Sequence, residues 1–383
     1  MFTWEYPPRI IGGIARHCYG LARALSRRGI EVHIFTPEFP NTPYEESNEN
    51  LFVHRVKIEL GHPNFIIWVL LMNHFLEKRL GLEGVDRFDV IHSHDWLTTI
   101  AGINVKHLGK KPFVLTIHST ESKRSSGLST SDSILIDGIE WWGTYEARRV
   151  ITVSNSMKKE LIDHFKLPPN KVEVIPNGVN PDDFKVEVDR GKVKMSLGFS
   201  PFDRIVLFVG RLTEQKGACF LIKAFPEIHK RHKEARLVIV GDGPQMGYLK
   251  DLIYGMEIGH LVRFLGHVDD NYLKTILASS DVLVIPSIYE PFGIVALEGM
   301  AAGVPVVASH VNGLGEVVKH EVNGITVFPA DPSSIAWGVN RVLEDEELVK
   351  RIIREGRKTV IERYSWDIVA EKTQKVYEDV VTS

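Results

Sequence analysis

Short apolar, β-branched runs alternate with helical patterns along the whole of this chain, and that alternation leaves few architectures open. In the first half, Glu31–Thr36, Val53–Ile58, Asp89–His92, Pro112–His118, Val150–Val153 and Val172–Ile175 read as strands. In the second half the runs are Arg204–Gly210, Ala235–Gly241, Val262–Leu265, Asp281–Pro286, Pro305–Ala308 and Gly324–Phe328. Many are apolar on both faces, as parallel strands covered by helices on each side must be. Ile14, Cys18, Leu21, Ala22 and Leu25 recur at helical spacing, and Gly29 follows as a C-cap. At 383 residues the chain exceeds one ordinary core, so two domains of roughly 180 residues each are expected. The fold class is α/β, with two Rossmann-like, doubly wound parallel-sheet domains.

The turn formers of Ile175-Pro-Asn-Gly-Val-Asn-Pro-Asp-Asp183 mark the join. The expected domains are 1–180 and 181–365, with a C-terminal helix over 366–383 returning to the first. One oddity sits at the beginning. A central strand should precede the loop at Trp4, yet only Met1-Phe2-Thr3 is present, where a buried parallel strand takes about five or six residues. Either that strand is stunted or the recorded start lies downstream of the true one.

Composition excludes several classes. Hydrophobic residues at 44% and charged residues at 25% are ordinary for a soluble globular protein. A net charge of −3 argues against broad nucleic-acid binding, and no nucleic-acid partner is expected. Cys18 and Cys219 fall in different domains without C-x-x-C spacing, which disfavours a disulfide framework or a thiolate metal site. No signal peptide opens the chain, and the apolar run from Phe65 to Met72 is about half the length that crosses a bilayer. A cytoplasmic location is expected, with weak peripheral membrane contact through that run as an alternative. Oligomeric state is not legible.

Candidate functional residues cluster where strands end, the place where open α/β sheets bind ligands. Ile11-Gly12-Gly13-Ile14 precedes the first helix and suits close backbone approach to a ligand, with N–H groups directed outward; a plain tight turn is the alternative. His118 ends a strand and can hydrogen-bond a sugar hydroxyl, or simply cap or pack. His92 and His94, at i and i+2, lack a third ligand in the sequence, so no metal site is assigned. Arg211 follows a buried strand and Lys216 lies one turn onward: two cations at a sheet's lip suit a diphosphate. Gly241, Gly243 and Gly247 fit the dinucleotide fingerprint poorly. His267 and Val268 lie where backbone groups can meet a nucleobase. Glu290 falls in a Pro-Gly turn, and Glu298 lies about two helical turns further on. Free N–H groups between the two acids suit phosphate and hydroxylated sugar together.

Taken together, these residues resemble a retaining glycosyltransferase of family 4 with the GT-B fold. The marks are Glu290 and Glu298 around Pro-Phe-Gly, Gly-Arg-Leu-x-x-x-Lys-Gly at 210–217, Pro176-Asn-Gly178, Trp4-Glu-Tyr-Pro-Pro8 with Ile11-Gly-Gly13, His92-Ser-His-Asp-Trp96 and Thr116-Ile-His-Ser-Thr-Glu121. They are most similar to the glycogen synthase-like α-1,4-glucosyltransferases. The resemblance implies an interdomain active-site cleft whose closure excludes water. It implies a nucleotide-sugar donor, UDP-glucose or ADP-glucose first, and a glucan or other glycosyl acceptor, with no cofactor or metal required. Arg211 and Lys216 would hold the donor's diphosphate. Glu298 would bind the ribose hydroxyls, and Glu290 the transferred sugar, aided by the N–H groups of Phe292, Gly293 and Ile294. Gly13 would let its loop close on the phosphates, His118 would sit beside the anomeric centre, and Asp95 and Glu121 would face the acceptor. Asn312 stands where relatives commonly carry the first glycine of a pair. Rival readings are a lipid-linked or small-molecule acceptor, a sugar-nucleotide epimerase, a NAD-dependent dehydrogenase and a non-catalytic sensor.

Overall fold

The computed structural model describes residues 1–61, 63–124 and 127–382. The chain divides into two compact units, Met1–Gly178 with Trp366–Ser383, and Val179–Ser365.

The first unit carries strands β1 (Val32–Pro37), β2 (Glu45–Asn48), β3 (Leu51–Val56), β4 (Ile91–His94), β5 (Phe113–Ile117), β6 (Arg149–Thr152) and β7 (Val172–Val174). β1 pairs parallel with β3, and β2 lies antiparallel against β3's far edge. β4 through β7 form a parallel ribbon in chain order. Met1–Thr3 joins the two ribbons. Phe2 bridges both Phe35 and Ser93, its N–H reaching the His92 carbonyl at 2.8 Å, while the Met1 carbonyl accepts from Phe35 N–H at 2.9 Å. Three residues therefore serve as a central strand paired on both sides.

The twelve strands read from the sequence all form, some with shifted ends. Asp89–His92 becomes Ile91–His94, because the polar half of that run is satisfied inside the sheet. His92 Nε2 lies 2.7 Å from Thr116 Oγ1 and Ser93 Oγ donates to the Thr98 carbonyl at 2.9 Å. Val53–Ile58 becomes Leu51–Val56, drawn toward the short turn from β2. The helices Gly13–Arg27 and Trp366–Thr382 share one core with the sheet through Leu21, Leu25, Ile34, Val114, Ile151 and Val369. Trp366 is seated against two glycines: a Cβ at Gly20 or Gly178 would lie 2.1 or 2.7 Å from its indole.

The second unit is a six-stranded sheet of β8 (Arg204–Val209), β9 (Ala235–Val240), β10 (Val262–Gly266), β11 (Val282–Ile285), β12 (Val306–Ser309) and β13 (Ile325–Val327). All pairs are parallel, in the order β10-β9-β8-β11-β12-β13. This is a doubly wound sheet whose order reverses between β8 and β11, so its crevice opens beyond the ends of those two strands. Val206, Phe208, Ile222, Phe225, Leu237 and Ile239 lie in its core. Among the described residues no helix is long and apolar enough to cross a membrane.

Candidate active site

The second unit places its charged groups at that crevice. Gly210 and Arg211 follow β8, and the Arg211 side chain is exposed. The loop then turns through Glu214–Lys216 to Gly217, which takes φ 66°. A Cβ at Gly217 would lie 2.1 Å from the Pro286 carbonyl oxygen, so only glycine lets this loop settle on the segment after β11. The Gln215 carbonyl accepts from Ile288 N–H at 2.8 Å and locks the two loops together. As a result Lys216 Nζ donates to Glu290 Oε2 at 2.6 Å, and Ser287 Oγ reaches the same oxygen at 3.3 Å. Glu290 is mostly buried.

Phe292 is buried and packs edge-on against Tyr364, with centroids 5.7 Å apart. Gly293, at φ 96°, caps the helix Ile294–Ala302, which carries the buried Glu298. Among the described residues the N–H groups of Phe292, Gly293 and Ile294 have no acceptor within the chain. A cation, a carboxylate and three backbone donors thus gather at one strand end, able to bind phosphate oxygens and sugar hydroxyls side by side. His267 and Val268 follow the edge strand β10, two strands from β8. Gly241 and Gly243 let the β9 loop lie against the β8 loop: a Cβ would come within 1.9 Å of Gly210 O and 2.6 Å of Leu212 O. Asn312 takes φ 38°, a conformation that glycine adopts freely and asparagine tolerates.

In the first unit, Gly13, Asp95, His118 and Glu121 all lie just beyond the ends of the central strands. Asp95 takes φ 56°, strained for a non-glycine residue, and its Oδ1 accepts from His118 N–H at 2.7 Å. Burial pushes its carboxyl up to about 6, opposed by Arg124 and the N–H groups of His118 and Ser119. His118 has two further imidazoles for company. His17, His94 and His118 offer ring nitrogens within 4.8 Å of one another, a grouping that the His92–His94 spacing did not reveal. By residue type such a trio could ligate a cation. Asn177 Oδ1 lies 2.7 Å from His17 Nδ1, which must donate to it. Burial holds His17, His92 and His94 neutral, far below the ordinary histidine value, and lowers His118 to about 3.

The expectation of outward N–H groups on the glycine loop needs correction. Glu5 turns two of them inward: its Oε2 accepts from Ile11 at 2.6 Å and Gly12 at 2.9 Å, and its Oε1 from Ala15 at 3.2 Å. Glu5 caps the Gly13–Arg27 helix, where Gly12 has no side chain to do so. Gly13 N–H lies outside this grip. Sequence reading quoted Glu5 inside a motif without assigning it a task. It missed Glu140, which is fully buried on the Ser131–Glu146 helix. Glu140 accepts Glu121 N–H at 3.0 Å and Arg124 at 2.7 Å, and Arg124 also reaches Glu121 at 3.1 Å. The available signal was a carboxylate on the same helical face as Ile136, Ile139 and Gly143.

Comparisons with known proteins place the chain in a family. The family model "Glycosyltransferase Family 4" matches residues 11–183, and "Glycosyl transferases group 1" matches 189–359. An uncharacterised glycosyltransferase of Methanocaldococcus jannaschii is 50% identical across 98% of this chain and 97% of its own. A glycogen synthase of Mycobacterium tuberculosis is 34% identical across 98% and 93%. The solved sucrose-phosphate synthase of Thermosynechococcus elongatus superposes with a TM-score of 0.85 at 25% identity, covering 100% of this chain and 98% of that one. With both units matched and the paired-sheet architecture in place, this chain belongs to the family 4-like glycosyltransferases of the GT-B fold.

Proposed function

We propose that this enzyme retains configuration while moving a hexosyl group, glucose first, from UDP- or ADP-glucose to the non-reducing end of an α-1,4-glucan. The observation that carries the reading is the Lys216–Glu290 pair at 2.6 Å beside the N–H groups of Phe292, Gly293 and Ile294. Glycosidic cleavage in the donor builds positive charge on the sugar and negative charge on the departing diphosphate. Arg211, Lys216 and the Ile294–Ala302 helix N-terminus would stabilise that diphosphate electrostatically without a metal ion. Glu290 would orient the sugar and Glu298 the ribose. His118 would border the anomeric carbon, with Asp95 and Glu121 on the acceptor side. His267 and Val268 would meet the base, and Gly13 would approach the phosphates. No carboxylate stands out as a covalent nucleophile, so same-face attack assisted by the leaving phosphate is the proposed route. The enzyme would act in the cytoplasm.

The 34% identity to a glycogen synthase supports the glucan acceptor. A small-molecule or lipid-linked acceptor is the second reading. The likeness to a sucrose-phosphate synthase favours a small sugar, and exposed Phe65, Ile67 and Leu70 favour a lipid. Thermal-shift titration with UDP-, ADP- and GDP-sugars identifies the donor, because a ligand of the folded state raises the melting temperature by mass action. Labelled donor offered with glucan, sugar phosphates or lipid extract then identifies the acceptor. Transfer to glucan alone is expected; transfer only to the others sinks the glucan reading.

A further inference from the structure

Four imidazoles gather around the ends of β4 and β5, and they are not used alike. His92 is fully engaged: Tyr377 OH lies 2.6 Å from its Nδ1 and Thr116 Oγ1 lies 2.7 Å from its Nε2. His17, His94 and His118 are not. Asn177 accepts the Nδ1 proton of His17, so Nε2 keeps its lone pair, and that buried nitrogen has no partner. Nε2 of His94 is buried and unpartnered as well. The two residues are almost fully enclosed, at 2% and 0% exposure. Folded proteins rarely leave buried ring nitrogens unused, and two in one cluster call for a ligand.

The spacing of the trio suits a metal ion. One nitrogen of each lies within 4.8 Å of the others. Imidazole nitrogen binds zinc at about 2.1 Å, which in a tetrahedral shell sets ligand nitrogens about 3.4 Å apart and ring centroids about 5.2 Å apart. His94 Nδ1 and His118 Nε2 stand 3.4 Å apart, and the three centroid distances are 5.2, 4.6 and 5.6 Å. That nitrogen pair is further apart than the roughly 3.2 Å of an ordinary hydrogen bond. Asn177 supplies the outer contact that fixes the tautomer of a ligating histidine. Three imidazoles, with no carboxylate or thiolate among them, favour zinc, nickel or copper over magnesium or calcium. The other grouping of suitable size, His33, His54 and Glu83, is closed to an ion. There His33 Nδ1 and His54 Nε2 lie 2.8 Å apart and share a hydrogen bond, while the outer nitrogens meet Glu31 and Glu45 at 2.9 and 2.6 Å.

We propose that His17, His94 and His118 bind a divalent transition-metal ion, zinc first, and that the bound ion holds sugar transfer off. The first half stands on the geometry of the trio; the second rests on the reading that His118 borders the anomeric carbon. An ion there takes the His118 lone pair away from the sugar. It also sets a double positive charge beside the carbon on which positive charge builds, which raises the barrier. His118 alone of the three is partly exposed, so the ion enters from its side.

Cobalt(II), a coloured stand-in for zinc, tests the site on the full chain, free of any affinity tag and dialysed against a chelator. One equivalent should bind with the visible spectrum of a tetrahedral ion, and zinc but not magnesium should displace it. X-ray absorption of the zinc-loaded wild type should count three imidazole nitrogens at about 2.0–2.1 Å. His17→Gln should weaken cobalt binding at least about a hundredfold, and Asn177→Ala, which frees the ring without removing it, about ten- to a hundredfold. If either variant fails to fold, the absorption count on the wild type decides. Zinc should also suppress transfer by the wild type at concentrations that leave His17→Gln running. No stoichiometric binding, or fewer than three imidazoles, overturns the site whether or not any transfer is seen. Three-imidazole binding with transfer unchanged by zinc, or suppressed equally in His17→Gln, overturns the inhibition and leaves the site standing.

Discussion

Lys216 sits on Glu290, and Ser287 steadies the same carboxylate. Arg211 has no such partner among the described residues and remains exposed. The two cations should therefore respond differently to removal. Arg211→Ala is expected to cut kcat on the order of a hundredfold or more, as lost transition-state donors do, with the melting temperature unchanged. Lys216→Ala should lose rate similarly and raise KM as well, because Glu290 is released from its position. Steady-state kinetics beside a thermal melt separates the two; a purely structural role for Arg211 would lower the melting temperature instead. Glu140 belongs to a different class. Burial pushes its carboxyl up to about 8 despite the neighbouring Arg124. Glu140→Ala would leave Arg124 and the Glu121 N–H without their buried acceptor, and unfolding in urea should show a loss of about 1–3 kcal/mol. Glu140→Gln, which keeps an acceptor for Glu121 N–H, should recover part of that.

At the scale of elements, loop-to-loop approach decides where side chains land. Gly217→Ala would drive a Cβ into the Pro286 carbonyl and lift the Lys216 loop from the segment after β11. Donor affinity by calorimetry is expected to fall at least about tenfold while the fold survives; unchanged affinity would detach that contact from donor binding. The ends of β4 and β5 carry a second consequence. His17, His92, His94 and His118 stay neutral when folded, whereas unfolded histidine protonates near 6.5. Folding then excludes protons that the unfolded chain takes up, so stability is full above that pH and falls as the solution is acidified toward 3. Glu5, Asp95 and Glu140 oppose this, since burial raises all three and makes the folded state hold their protons. His17→Gln should reduce the stability slope by about 0.7 kcal/mol per pH unit at about pH 6.5, rising to about 1.4, one proton's worth, near pH 5. The same elements show what a sequence can reveal. β8 and β11 were legible because each is a continuous apolar run bounded by turn residues, and Lys216 and Glu290 follow them in unbroken motifs. β2 was not, because Glu45–Asn48 is wholly exposed and polar and owes its extension to pairing with β3. The His17–Asn177 contact spans 160 residues, and the Glu140–Arg124 pair depends on how a helix turns; neither distance is written in local spacing.

The whole molecule is two units, and the first is not continuous in the chain. Trp366–Ser383 belongs with Met1–Gly178, so the last helix completes a core that the chain left nearly two hundred residues earlier. Val369, Ala370, Val376 and Val380 are buried in that core, Trp366 fills the space over Gly20 and Gly178, and Tyr377 OH lies 2.6 Å from His92 Nδ1. Each large side chain withdrawn from water contributes about 1.5–3 kcal/mol, so removing the helix forfeits on the order of 10 kcal/mol. That is as much as the entire stability of an ordinary domain. The second unit loses nothing of its own, since Val179–Ser365 contains all of β8 to β13 and the Lys216–Glu290 pair. A chain ending at Ser365 should therefore lose the first unit's cooperative melting while the second still unfolds with its own transition. Hydrogen exchange read strand by strand distinguishes the two: protection should vanish from β1, β3, β4 and β5 and persist in β8, β9, β11 and β12. Protection retained in β4 and β5 would mean that the helix decorates the first unit rather than completing it, and Trp366 would then tolerate alanine. If the helix does complete it, Trp366→Ala alone opens a large cavity against Gly20 and Gly178 and should destabilise the first unit by about 3–5 kcal/mol without moving the second unit's transition.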